Sequence, residues 1–278
     1  LGPDGIEFWN HQRNQMIGKF ECEDVRDWCF APDGKTVFIS NADHVQARSF
    51  AFNLEQGTAT TFDPVTVSDK PARNLQIDEN HQLMIRREGN YAKVLTLDGT
   101  TFGRVGPHVR WSNALVSPCG RFIVTSTWKG QGVRVWDVAS GDLIKDLAPD
   151  WETATMRFRP DGTALVAVCD TQRWTWDTET WEPQVRKDLD EKDGAVAEPA
   201  WSQDGNLISA KYNLNQPQIF DAATGETLVA FEPPVPLLVK TTEFSHDDRY
   251  LMISAANGIH IWDIARAREK LDELGMDW

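Results

Sequence analysis

The stretch GVRVWDVASGD, residues 132–142, decides how the rest of the chain is read. Val133 and Val135 alternate with Arg134, the pattern of a strand with one buried face. Trp136-Asp137 ends the strand, and VASGD after it is a glycine-containing hairpin turn. The same ending returns at Trp176-Asp177, Phe220-Asp221 and Trp262-Asp263, and in weaker form at Leu97-Asp98, Phe52-Asn53 and Trp9-Asn10. The apolar members stand at 9, 52, 97, 136, 176, 220 and 262, so each step is between 39 and 45 residues.

A second marker keeps the same phase. It reads CFAPDG from Cys29, LVSPCG from Leu115, RFRPDG from Arg157, AWSQDG from Ala200 and EFSHDD from Glu243, with a degenerate copy, QIDENH, from Gln76. Pro-Asp-Gly is turn chemistry: Pro presets φ, Asp bonds locally and Gly accepts positive φ. An apolar run follows each clear turn: TVFIS from Thr36, RFIVTS from Arg121, TALVAV from Thr163, NLISA from Asn206 and YLMIS from Tyr250. Short continuous apolar strands suit burial on both faces.

Two markers in phase at about 42 residues are the signature of a repeat array. On these residues the chain resembles the WD40-repeat family over nearly its whole length. The resemblance implies an all-β propeller of four-stranded antiparallel blades. The expected organisation is a propeller over 1–264, with repeats near 1–24 (partial), 25–66, 72–106, 109–149, 152–190, 195–233 and 238–264, then a helical tail over 265–278. The tail, ARAREKLDELGMDW, is rich in helix formers, carries Leu271 and Leu274 on one stripe and reaches a stop at Gly275. It resembles the ends of WD40 regions in bacterial, planctomycete-type multidomain proteins, some with Ser/Thr kinase domains. HRD, DFG and a glycine-rich kinase loop are absent from this sequence.

Seven third-strand markers face only six first-strand markers. The opening PDGIEFWN reads as a turn and a third strand, which favours a seven-bladed parent with an incomplete first blade. The alternative is a closed six-bladed ring in which QMIGKF, residues 15–20, supplies the missing fourth strand of the last blade. The family's buried tetrad joins a Gly-His, a turn Asp, a strand Ser or Thr and the Trp. Ser126 with Trp136, and Ser254 with Trp262, are the surviving pairs expected, and the Gly-His dipeptide is missing.

Composition bounds the function. The chain has 278 residues and a formal net charge of −14, which disfavours nucleic acid and suits solubility and basic partners. No apolar run nears the ~18 residues of a membrane helix, and no signal peptide is visible in this stretch, so the cytoplasm is slightly favoured as the location. Cys22, Cys29, Cys119 and Cys169 form no CxxC or zinc spacing and read as reduced, mostly buried thiols. GxSxG and HExxH are absent, and the six histidines occupy unrelated repeat positions. The acidic stretch DLDEKDGAVAEP from Asp188 fails as a calcium loop: Lys192 stands at a ligand position, Gly194 is one place late and Pro199 replaces the final Glu. Neither a cofactor nor a metal is expected.

The reading is a non-catalytic protein-interaction scaffold. Its alternatives are an enzyme or small-ligand sensor in the central channel, and a structural spacer. Trp136, Trp176 and Trp262, with Phe220, are expected in the core, as are Trp28 and Trp201. Trp111, Trp128, Trp151 and Trp181, at strand ends or in loops, are the candidates for an exposed surface. For the partner site, counting back from the turn markers brings Arg26, Arg73 and Lys240 to one rim, with Arg110 two residues earlier in its repeat and Trp111 beside it. Arginine forks hold carboxylate or phosphate, so the expected partner is an acidic or phosphorylated peptide. The competing reading is ordinary ion pairing with Asp24, Asp27 or Glu198.

Overall fold

In the computed structural model, residues 5–31, 34–53, 55–69, 83–96, 98–189, 198–213, 216–232 and 238–276 are described. The chain divides into two compact units, residues 1–107 with 119–123 and 136–143, and residues 108–118 with 124–135 and 144–278.

In the first unit, β1 (Gly5–Asn10) and β2 (Gln15–Glu21) form a two-stranded sheet. The QMIGKF segment is therefore the partner of β1. Next come β3 (Asp27–Phe30), β4 (Thr36–Ser40), β5 (Val45–Asn53), β6 (Thr58–Thr61) and β7 (Val65–Ser68). They make one sheet in the order β3-β4-β5-β6, with β7 also on β5. The long β5 explains this: Phe50–Asn53 pair with β6 and Val45–Ala47 with β7, so the outer strand is broken around Asp63-Pro64. Then β8 (Leu83–Glu88), β9 (Tyr91–Thr96) and β10 (Thr101–Val105) form a three-stranded sheet. Ile6, Phe8, Phe20, Val37, Ile39 and Phe50 build one core of this unit.

The sheet of β11 (Trp111–Val116), β12 (Phe122–Thr127), β13 (Val133–Asp137) and β14 (Leu143–Asp146) draws residues from both units. The second unit then holds β15 (Thr155–Phe158), β16 (Ala164–Val168), β17 (Gln172–Asp177) and β18 (Pro183–Asp188), in that spatial order. The sheet of β19 (Ala200–Trp201), β20 (Leu207–Asn213), β21 (Gln216–Asp221) and β22 (Thr227–Ala230) follows. The last sheet has three strands, β23 (Val239–Phe244), β24 (Tyr250–Ala255) and β25 (Gly258–Asp263), and the chain leaves it through α1 (Ile264–Asp272). Every β16 residue is buried, as continuous apolar runs require, and so is every β12 residue.

Repeat equivalence is visible in the hydrogen bonds. Trp176 lies opposite Leu165, Phe220 opposite Ile208 and Trp262 opposite Leu251. The polar residue after each marker caps the turn that follows. Asn10 accepts from the Arg13 amide at 3.1 Å, Asn53 from Gln56 at 3.0 Å and Asp98 from Thr100 at 3.0 Å. Asp137 accepts from Ser140 at 3.0 Å, Asp177 from Thr180 at 2.8 Å and Asp221 from Thr224 at 2.7 Å. Asp263 accepts from Arg266 at 3.0 Å, where the same move N-caps α1. A short carboxylate or amide satisfies an otherwise orphaned amide in all seven, and for this Asn serves as well as Asp.

Candidate functional site

The sequence-predicted rim does not form a ready anion site. The Arg26 guanidinium lies 3.7 Å from the Asp24 carboxylate, the pairing named as the competing reading. Arg110 adopts a positive φ of 60° and donates to the Lys129 carbonyl at 3.1 Å. Trp111 is 1 % exposed, which corrects its expected role as a surface aromatic: it opens an innermost strand, whose first side chain turns into the core. Lys240 is exposed on β23, and Arg110 and Lys240 share no hydrogen-bond or ion-pair partner among the described residues. Arg73 lies outside the described residues, as does most of the acidic stretch, 190–197.

The tryptophans need further correction. Trp136, Trp176 and Phe220 are buried, whereas Trp262 is only half-buried. Trp201 is buried but Trp28, expected in the core, is 37 % exposed and stands edge-on to exposed Phe30. Trp128 is exposed; Trp151 and Trp181 are buried. Trp181 stands where the sister turns carry glycine. The amides of Gly141, Trp181 and Gly225 reach back to the carbonyls of Asp137, Asp177 and Asp221, and all three residues have positive φ. A tryptophan there is strained by about 1–2 kcal/mol, which burial of its indole offsets.

The tetrad pairing expected for Ser126 also shifts by one residue. Ser126 donates to the Ala154 carbonyl of the next repeat at 2.7 Å. Its neighbour Thr125 instead meets His108 Nδ1 at 2.7 Å, and His108 Nε2 lies 2.9 Å from the Gln131 carbonyl. Successive strand residues face opposite sides, so a one-residue slip exchanges the two roles. His108 thus meets β12 through Thr125 rather than Ser126. Burial holds the His108 pKa below its usual range.

Two clefts hold cationic side chains. In the first unit, a cleft of about 410 Å³ includes Thr66, Ser68, Asp69, Arg86 and Lys93. Its arginine is spoken for: Arg86 donates to Ser68 Oγ at 3.2 Å and to Glu88 Oε1 at 3.1 Å. In the second unit, a cleft of about 610 Å³ lies between the sheets β15–β18 and β19–β22. Thr175 and Trp201 are buried in its lining; Arg159, Gln184, Asn206 and Asp221 also border it. The enclosed Arg159 Nε donates no hydrogen bond among the described residues. It is 3.3 Å from Asp161 Oδ2 without being aimed at it, and the guanidinium carbon stands 6.0 Å from the Trp201 ring centre.

The other charged and thiol groups of the described residues serve packing and pairing. Arg157 bridges Glu243 at 2.6 Å and Glu198 at 3.7 Å, tying three successive repeats. Arg173 is buried, stacks 3.7 Å from the Phe220 ring and donates to the Gly225 carbonyl at 2.7 Å; burial draws its pKa down to about 10. All four cysteines are free thiols, with Cys119 exposed. Among the described residues no group of three His, Cys, Asp or Glu stands close enough to hold a metal ion, and no helix is long and apolar enough to cross a membrane.

Over 141 residues, 49 % of the chain, the sequence is 28 % identical to an uncharacterized WD repeat-containing protein of Synechocystis sp.. The fold is all-β, with four-stranded antiparallel blades in a propeller arrangement, and the chain is similar to a WD repeat-containing protein. The match takes in 38 % of that relative's length. No protein-family model matches the chain. WD-repeat propellers present turns of variable sequence on a repeated frame, and binding residues concentrate on such loops.

Proposed function

We propose that this chain is a non-catalytic interaction scaffold, one domain of a larger bacterial multidomain protein, kinase-linked as the tail resemblance implies. The observation that carries this reading is the sevenfold turn cap: one device recurs from Asn10 to Asp263 while the side chains around it vary. A frame kept constant under a changing surface suits recognition of another polypeptide. The partner class is an acidic segment, with Arg26, Arg73, Arg110 and Lys240 as its cationic contacts and the propeller running over 1–264 as the unit that presents them.

The reading is tested by cross-linking mass spectrometry on the full-length protein in its native host. A partner polypeptide cross-linked to the turns of this segment supports it. Substrate turnover by the purified segment, abolished by one point substitution, contradicts it.

A further inference from the structure

The two clefts differ in one respect that bears on ligands. Arg86 is held by Ser68 and Glu88, whereas the enclosed Arg159 Nε donates no hydrogen bond among the described residues and has only Asp161 Oδ2 near it, at 3.3 Å. An enclosed N–H donor left unmet at the edge of a cleft is costly unless something else meets it.

Arg159 is also where its repeat departs from the others. Aligned on the turn marker, its place is held by Ala31, Ser117, Ser202 and Ser245. Ser202 and Ser245 are bound into their own turns, donating to Asp204 at 2.7 Å and Asp247 at 2.6 Å. Arg159 meets the equivalent carboxylate, Asp161, only as an ion pair, with Nε 3.3 Å from Oδ2 and no hydrogen bond from that nitrogen. Its neighbour across the cleft departs too: Trp201 stands where sister turns carry Phe30, Phe158 and Phe244, and its indole N–H donates to the Arg157 carbonyl at 3.2 Å. Gly205 completes the fit, since a Cβ there would collide with the Arg159 guanidinium.

We infer that the cleft bounded by Arg159, Trp201, Thr175 and Asp221 receives an acidic side chain of a partner polypeptide, its carboxylate held by the Arg159 fork. This rests on the scaffold reading above and gives it a different contact from the rim arginines. A planar guanidinium matches a carboxylate bidentately, and the cleft volume is in the range of sites that enclose small ligand groups. The local charge selects carboxylate over phosphate. Asp221 lines the cleft, and a dianion meets more repulsion from it than a monoanion does. Asp221 remains charged, because the Thr224 backbone and hydroxyl hydrogen bonds hold its carboxyl below the usual range.

The test uses fluorescein-labelled Gly/Ser-based octapeptides bearing one to three glutamates, with matched glutamine and phosphoserine versions, read by fluorescence polarisation. Glutamate peptides are expected to bind, their glutamine versions to bind at least about tenfold more weakly, and Arg159→Ser to lose at least about tenfold. That variant carries the residue the sister turns use, and an unchanged melting curve verifies its fold. Arg159→Lys keeps the charge without the fork and is expected to retain only part of the affinity. Equal binding by Arg159→Ser, tighter binding of phosphoserine peptides, or no glutamate peptide bound by the wild type would each overturn the site. Loss in Arg110→Glu with none in Arg159→Ser would overturn this site and leave the scaffold reading standing.

Discussion

Trp176 and Trp262 hold the same place in their repeats and live in different surroundings. Each faces a leucine of the preceding strand, Leu165 or Leu251, and each is followed by an aspartate that caps the next amide. Yet Trp176 is 1 % exposed, packed within 5.9 Å of Trp151 and 5.7 Å of Trp174, while Trp262 is half-buried against Phe231. The difference begins after the aspartate. In one sheet the chain turns back as β18; in the other it enters α1, and β25 keeps Ile259 71 % exposed. Neighbouring strands record the same contrast: β16 is buried throughout, while β24 alternates. A repeat marker therefore fixes register, and burial depends on what the chain does next.

The largest expected effect is on the tryptophans. Trp176→Ala should cost roughly 3–5 kcal/mol, and Trp262→Ala about 1–3 kcal/mol, read as midpoint shifts in denaturant melts. Trp181→Ala should cost more than Trp262→Ala, because Trp181 is the more deeply buried. Equal losses at 176 and 262 would break the comparison.

A smaller effect belongs to the buried histidine. Thr125→Val leaves a His108 nitrogen without its partner and should cost about 1–3 kcal/mol. Burial depresses the folded-state pKa of His108, so its contribution is full above the unfolded value, about 6.5, and is lost as pH falls through the folded value. The wild type should therefore lose stability on acidification below about pH 6.5, and His108→Gln should flatten that part of the profile. An unchanged slope would show that His108 is not held neutral by burial.

The smallest effects are at the caps. Asp177→Ala and Asp263→Ala remove the same kind of bond. Circular dichroism should register helix loss for Asp263→Ala alone. Both carboxyls are held below the usual range, Asp177 by the Thr180 backbone and hydroxyl bonds, Asp263 by Arg249 and the Arg266 amide. Their contribution is thus present above the unfolded carboxylate pKa and fades as pH falls through the folded one.

These contrasts mark how far the sequence was legible. The markers from Trp9-Asn10 to Trp262-Asp263 give the period and the strand ends, and the seven caps come from the structure, although a cap is local and depends on residue type and spacing. Side-chain direction was less legible. Ser126 and Thr125 are adjacent and both polar, and only the register shows which one meets His108. Trp181 reads as a loop residue because nothing local reveals an indole folded inward at a glycine's place. Arg159 was visible in principle, since RFRP stands against LVSP, AWSQ and EFSH with an arginine in a serine's column.

The most direct test of the account, a constant frame with its contact where one repeat departs, is a chemical-shift map of the isotope-labelled protein titrated with a glutamate octapeptide. The account predicts shifts clustered at Arg159, Thr175, Gln184, Asn206 and the Trp201 indole, with the cap amides of Arg13, Ser140 and Arg266 unmoved. Shifts centred on Arg26 or Arg110 would move the contact to the rim and contradict the cleft, and shifts spread evenly over the repeats would contradict both.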